Sequence, residues 1–186
     1  MRYAGFWPRL GAALVDMVVL LPIIGGSFWA ATESKTTQLV LELPLATAFA
    51  VYSIYFIRRW GQTIGKMALK IRVVSLDGAP AGFRRAFYRH VVDLAFSLAS
   101  SMLTIYGLLS VADDEYAALG FVERMELLNT VTGDLPDIVL WLSFAWTASE
   151  LVVLLLNEKR RALHDFIAGT VVIHTSEVAA ATGDQR

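Results

Sequence analysis

The segment FWPRLGAALVDMVVLLPIIGG, from Phe6 to Gly26, has the length and apolarity of a membrane-spanning helix. Its apolar run continues to Ala31, which is longer than the hydrophobic part of a signal peptide, so we expect the segment to be retained. Arg9 and Asp16 lie seven positions apart within this segment, two turns along one face of a helix. A carboxylate inside a bilayer is costly, so Asp16 is the first residue that needs an explanation.

Three more segments of the same kind follow in the chain. The protein has 186 residues, 56% of them hydrophobic, and a mean hydropathy of +0.54. Lipid offers the backbone no hydrogen-bond partner, so each apolar run of roughly 20 residues predicts a transmembrane helix. The predicted spans cover residues 10–31, 38–57, 91–112 and 136–156. We therefore predict an all-α polytopic membrane protein, with one transmembrane domain over residues 1–176 and a disordered C-terminal tail over residues 177–186.

The distribution of basic residues predicts the orientation of these spans. Of the 16 Lys and Arg residues, 14 lie in the termini and in the segments that follow spans two and four, while the opposite side holds only Lys35 and Arg124. Basic loops stay in the cytoplasm, so both termini are predicted to be cytoplasmic. The loop over residues 113–137 is acidic and is predicted to lie outside. Because topology and anionic lipid account for the basic loops, we expect no nucleic-acid partner.

The long cytoplasmic segments predict a small β element. KIRVVSLDGAP predicts a short strand followed by a turn at Asp77 and Gly78, and TVVIH after span four predicts a second strand that pairs with the first. GFRRAFYRHVVD predicts a basic amphipathic helix that lies on the membrane surface and runs into span three. EYAALGFVERMELLNTV predicts a single amphipathic helix on the outer surface.

Three acidic residues in the inner half of the predicted spans are the candidate ion- or proton-binding residues: Asp16, Asp93 and Glu150. Their candidate charge partners are Arg9, two turns before Asp16, and Arg89, one turn before Asp93. In one hypothesis the pairs Arg9–Asp16 and Arg89–Asp93 only hold the helices together. In the other, at least one carboxylate binds a proton or cation for transport. Glu150 has no partner nearby in sequence, which makes it the better proton carrier.

No other motif predicts chemistry. GQTIGK, from Gly61 to Lys66, is one residue too short for a phosphate loop and has Met67 where Ser or Thr is needed, so Gly61 and Gly65 are interpreted as points of backbone freedom. The chain has no Cys and shows no nucleophile–base set, so we expect no enzymatic activity, no metal and no cofactor. The histidines lack metal-ligand spacing and are interpreted as interfacial: His90, His164 and His174.

Together these segments resemble the RDD family of bacterial membrane proteins, named for one Arg and two Asp. The family's Arg and first Asp match Arg9 and Asp16 in WPRLGAALVDMVV. The second Asp matches Asp165 in RRALHDFIAGTVVI, with Asp93 as the alternative. The family's central cytoplasmic segment resembles GQTIGKMALKIRVVSLDG. The resemblance implies a small multi-pass domain of the bacterial inner (plasma) membrane. It also implies cation/proton antiport as an expected activity, because this activity is attributed to some members of the family. The acidic segment over residues 113–137 and Glu150 depart from the family pattern.

Two functional hypotheses follow. In the first, the protein transports a small solute or exchanges monovalent cations for protons, with Asp16 as the binding carboxylate tuned by Arg9, Glu150 as a second titrating group, and Asp165 organising the cytoplasmic mouth. Four spans are few for a closed pathway, so this hypothesis implies a homo-oligomer in the lipid bilayer. In the second, the protein is a scaffold or accessory subunit whose basic loops bind anionic lipid or a partner protein.

Overall fold

The structure is a computed structural model that describes residues 2–175, so the predicted C-terminal tail over residues 177–186 lies outside the described residues. Helices dominate it, and two short strands form a small sheet. In chain order the elements are α1 (Phe6–Glu33), α2 (Lys35–Trp60), α3 (Ile64–Ala68), β1 (Ile71–Ser75), α4 (Gly82–Tyr88), α5 (Val91–Ser110), α6 (Asp113–Ala118), α7 (Phe121–Thr132), α8 (Leu135–Leu156), α9 (Leu163–Ala168) and β2 (Thr170–His174).

Four helices in the described part of the chain are long and apolar enough to cross a membrane, which confirms the predicted fold class. They are α1, α2, α5 and α8, and each contains one predicted span or most of it. The helix α1 begins at Phe6, four positions before the predicted start, because Pro8 is tolerated in the first turn of a helix, where its missing N–H costs no hydrogen bond.

The strands β1 and β2 pair antiparallel, which confirms the predicted β element. Ile71 lies opposite His174 and Ser75 lies opposite Thr170. The β-branched residues of both strands are buried, and burial of such side chains favours extended structure. Gly61 joins α2 to this sheet: its φ of 71° lies in the left-handed region, and its carbonyl accepts from the Val73 N–H at 2.7 Å.

Two predicted helices differ from the structure. The basic helix α4 ends at Tyr88 and does not continue into α5, because Arg89 and His90 form a turn that directs the buried Arg89 side chain inward. The segment that is predicted to lie outside forms two helices, α6 and α7, because Gly120 takes an extended conformation between them. In α6 the buried Tyr116 donates from its hydroxyl to Gln38 Oε1 at 2.7 Å.

The described residues form two compact units, each with its own core. The first, here called the strand unit, comprises residues 2–20, 50–92 and 146–175, and its core includes Ala12, Ile57 and Val73. The second, here called the helix unit, comprises residues 21–49 and 93–145, and its core includes Leu108 and Leu128.

Candidate functional site

The carboxylate of Asp165 is the centre of a buried polar site in the strand unit. Asp165 lies in the first turn of α9, and its side chain is completely buried. Its Oδ2 atom accepts from Arg9 Nη1 at 2.6 Å and from the Ala162 N–H at 3.1 Å. Its Oδ1 atom accepts from Thr170 Oγ1 at 3.0 Å and from Arg89 Nη1. Two cations and two neutral donors therefore hold one carboxylate.

Arg9 is fixed by backbone carbonyls as well as by this carboxylate. Its Nε donates to the carbonyl of Ala4 at 3.0 Å, and its Nη2 donates to the carbonyl of Arg160 at 2.5 Å. Arg160 has a φ of 49°, a left-handed conformation that is costly for a residue with a side chain. This conformation accompanies the turn after α8 that presents the Arg160 carbonyl to Arg9.

Arg89 connects Asp165 to a second ionisable pair. Its buried guanidinium donates to Thr170 Oγ1 at 2.8 Å and to His164 Nε2 at 2.8 Å. A guanidinium has no acceptor, so His164 Nε2 accepts and the ring proton is placed on Nδ1. From there it donates to Glu150 Oε1. We call the resulting set the Asp165 cluster: Arg9, Arg89, Glu150, His164, Asp165 and Thr170.

Electrostatics keep Asp165 ionised. Burial alone raises the pKa of the Asp165 carboxyl, but the guanidinium groups of Arg89 and Arg9 outweigh that effect and hold its pKa well below the usual range. Arg9 and Arg89 therefore supply the positive charge that allows this buried carboxylate to stay ionised.

Asp16 belongs to a separate set of hydrogen bonds in the same unit. Its buried carboxylate accepts from Tyr52 Oη at 2.7 Å, from Thr63 Oγ1 at 2.5 Å and from the Gly65 N–H at 2.7 Å. These donors come from α2 and from the start of α3, so one side chain of α1 joins three elements. We call this set the Asp16 clamp: Asp16, Tyr52, Thr63 and Gly65.

The Asp16 clamp depends on the small size of Gly65. A Cβ atom at Gly65 would overlap the carbonyl oxygen of Ala12 and lie 2.9 Å from Asp16 Cγ. The adjacent Lys66 places Nζ 3.3 Å from Thr63 Oγ1. Burial, followed by the positive charge of Arg89, lowers the pKa of Lys66 to about 8.

The structure contradicts one predicted pair, gives Glu150 a partner and leaves a second predicted pair untested. The predicted pair Arg9–Asp16 is wrong: Arg9 binds Asp165, while Asp16 binds neutral donors, because other elements present closer partners to both. Glu150, which lacked a partner in the sequence, contacts His164. Asp93 lies in the first turn of α5, in the helix unit, and its predicted pairing with Arg89 stays a prediction.

Sequence reasoning missed four members of these sets, which are Tyr52, Thr63, His164 and Thr170. The sequence pattern indicates an interfacial role for His164, yet at the start of α9 both His164 and Asp165 reach Arg89. The motif LHDFIAGT contained the signal, since it places His164, Asp165 and Thr170 within seven consecutive residues. Within residues 2–175 no three His, Asp or Glu side chains are grouped so as to hold a metal ion.

Comparisons with known proteins cover almost the whole described chain. The RDD family model matches residues 3–169, a range that includes all of the Asp165 cluster except Thr170, and all of the Asp16 clamp. The uncharacterised protein YckC of Bacillus subtilis (strain 168) is 25% identical over 174 residues, which cover 93% of this chain and 85% of that protein. No solved structure matches the chain significantly.

Proposed function

The chain belongs to the RDD family of membrane proteins, and we propose that it exchanges a monovalent cation for a proton across the bacterial inner membrane. The observation that carries this proposal is the contact between Glu150 and His164. Their side chains are 17% and 21% exposed, so the pair is accessible to protons, and Arg89 connects it to the buried carboxylate of Asp165. Imidazole is the side chain that changes charge near neutral pH.

The geometry suggests how proton binding is transmitted. In the neutral state His164 Nε2 accepts from Arg89. A proton added at Nε2 removes that acceptor and places a second positive charge beside the guanidinium. Glu150 stabilises the resulting imidazolium through Nδ1, and Arg89 is left with Asp165 and Thr170. Proton uptake at the pair therefore changes the contacts of a buried arginine.

In this proposal Asp16 is a positioning residue and not the proton carrier. Its carboxylate already accepts hydrogen bonds from three protein donors, so both of its oxygen atoms are engaged in holding neighbouring elements. Its role is to hold α1 against α2 and α3. This assignment replaces the expectation that Asp16 binds the transported ion.

The proposal also includes a homo-oligomer and no enzymatic step. The described chain has four helices of membrane-spanning length, and four helices enclose little space for a closed pathway. A second copy of the protein would supply additional helices to enclose the transport pathway.

Ion flux in proteoliposomes tests the exchange. A pH gradient is imposed, an internal pH dye is read, and Na⁺, K⁺ or Li⁺ is added in turn. We expect cation-dependent proton movement from the wild type and its loss in Glu150→Gln. Glu158→Gln is the matched control, because Glu158 is exposed in the turn that follows α8. No flux from the folded wild type, or equal flux from Glu150→Gln, would refute the proposal.

A second candidate function is a scaffold that binds anionic lipid, and α4 is the observation that favours it. This helix carries Arg84 and Arg85 beside Phe83 and Tyr88, which are 54% and 40% exposed. The guanidinium of Arg84 lies 5.7 Å from the centre of the Tyr88 ring. Basic residues beside exposed aromatic rings are typical of segments at a lipid surface.

Lipid dependence of stability tests this second function. The thermal midpoint is compared in nanodiscs of phosphatidylcholine alone and with added phosphatidylglycerol. We expect the anionic lipid to raise the midpoint, and we expect Arg84→Gln with Arg85→Gln to remove that increase. Stabilisation without any flux would favour the scaffold function. An equal midpoint in both lipids would argue against it.

A further inference from the structure

The helix unit contains two adjoining cavities that neither the family motif nor the proposed exchange uses. Their volumes are about 480 Å³ and about 280 Å³. Both are lined by Ser27 of α1, by Gln38 and Glu42 of α2, and by Ser100 of α5. These residues belong to helices of membrane-spanning length, so polar groups line a space where lipid offers them no hydrogen bonds.

Glu42 places its carboxyl group in both cavities. The described structure gives its carboxylate a hydrogen bond with Ser101. The two basic residues of the helix unit are occupied elsewhere: Lys35 Nζ lies 2.6 Å from Asp113 Oδ1, and Arg124 Nη1 donates to the carbonyl of Thr32 at 3.0 Å. An acidic residue inside a membrane-spanning helix is costly without a cation beside it, so the carboxylate of Glu42 favours a positively charged ligand.

The larger cavity also has an apolar and aromatic wall. Phe28 of α1 and Phe121 of α7 have ring centroids 5.1 Å apart, and both line it together with Ile24 and Met125. Aromatic rings attract cations through their faces, and apolar side chains bury hydrocarbon. The wall therefore suits a ligand with a charged end and an apolar end better than it suits a bare metal ion.

We propose that this cavity binds a small organic cation of the alkylammonium class. The ammonium group lies at Glu42 and is contacted by hydroxyl groups such as that of Ser100, while the hydrocarbon part lies against Phe28 and Phe121. The volume of the larger cavity falls within the range of small-molecule sites in proteins. Glu42 lies in the helix unit and Glu150 in the strand unit, so this binding does not depend on the proposed proton exchange.

Calorimetric titration of n-butylammonium into the full-length protein tests the proposal. The protein is placed in nanodiscs of zwitterionic phosphatidylcholine, and empty nanodiscs provide the blank. We expect saturable binding of n-butylammonium, with n-butanol and Na⁺ each binding at least about tenfold more weakly, since one lacks the charge and the other lacks the hydrocarbon. If n-butanol bound as tightly as n-butylammonium, Glu42 would not be selecting the ligand by its charge. If Na⁺ bound as tightly as n-butylammonium, the apolar wall would not be contributing to selection. Either result would overturn the proposal.

Variants locate the site. Glu42→Gln is expected to weaken n-butylammonium binding by about tenfold or more, while Glu126→Gln, at an exposed position of α7, leaves it unchanged. Ser100→Phe provides a test that keeps Glu42: a large side chain at this exposed lining position fills the cavity and should abolish binding. Wild-type affinity in folded Glu42→Gln or folded Ser100→Phe, or no binding to the wild type, would overturn the proposal, whatever the flux assay shows for Glu150.

Discussion

Arg9 and Asp165, 156 positions apart in the sequence, are joined by a hydrogen bond of 2.6 Å between Nη1 and Oδ2. This bond ties the first turn of α1 to the first turn of α9, so it connects the beginning and the end of the described chain. Arg89 contacts the other oxygen of the same carboxylate. Asp165 is thus the point at which three distant segments meet, and the first predictions concern it.

Asp165→Asn should strongly destabilise the protein. The change leaves two buried guanidinium groups facing a neutral side chain, and breaking a buried ion pair in this way costs about 3–5 kcal/mol. Thermal unfolding in detergent, followed by fluorescence-detected size exclusion, measures the loss. Asp114→Asn is the control, because Asp114 is exposed in α6. A shift no larger than that of the control would show that the cluster contributes little to stability.

The Arg9–Asp165 contact should appear as coupling between the two positions. Arg9→Gln leaves Asp165 with Arg89 but without its second cation, and Asp165→Asn leaves Arg9 without the carboxylate, whereas the double variant removes both charges of the pair. We expect the double variant to be less destabilised than the sum of the single variants, by about 0.5–3 kcal/mol. Strict additivity would mean that the two residues act independently.

Gly65→Ala should be poorly tolerated while Gly11→Ala is accepted. The new Cβ at position 65 meets the backbone of Ala12, which cannot move aside without shifting α1, so we expect a loss of about 1–3 kcal/mol or more. At Gly11 the Cβ would lie 3.4 Å from Leu69 Cδ1, an ordinary contact, and Ala favours the helix by about 1 kcal/mol. Thermal midpoints of the two variants compare the positions directly. Equal midpoints would refute the close approach at Gly65.

Asp16→Asn should cost more stability than Tyr52→Phe. The Tyr52 variant removes one donor to Asp16, a loss of about 0.5–1.5 kcal/mol. The Asp16 variant replaces an acceptor oxygen with an amide donor that faces Thr63 Oγ1 or the Gly65 N–H, so it also leaves a buried group poorly paired. Chemical unfolding of both variants gives the comparison. A larger loss from Tyr52→Phe would contradict the role of Asp16 as the centre of the clamp.

Lys66 should make the free energy of unfolding depend on pH in the alkaline range. Its pKa is about 8 in the folded protein and about 10.4 in an unfolded chain, so between these values the unfolded state binds more protons. The contribution of Lys66 to the free energy of unfolding therefore rises as the pH increases from about 8 to about 10.4. In Lys66→Met that rise disappears. Unfolding curves of both proteins across this range test the point, and parallel pH profiles would show that Lys66 keeps its ordinary pKa.

The membrane helices and the small sheet could be predicted because each depends on local pattern. A run of apolar residues in lipid must form a helix whatever its neighbours are, and the consecutive β-branched residues of TVVIH favour a strand. The break after Tyr88 could not be predicted in this way. It accompanies the burial of Arg89 against Asp165, whose position depends on the fold.

The sequence by itself determined which residues carry charge into the apolar segments, and it identified Arg9, Asp16 and Asp165 through the family motif. Only the tertiary structure decided their partners. Spacing along one helix suggested that Arg9 contacts Asp16. In the structure α9 folds back so that Asp165 contacts Arg9, while Asp16 accepts a hydrogen bond from Thr63. The reason is physical: periodicity fixes the face on which a side chain lies, whereas its partner depends on which other element packs against that face.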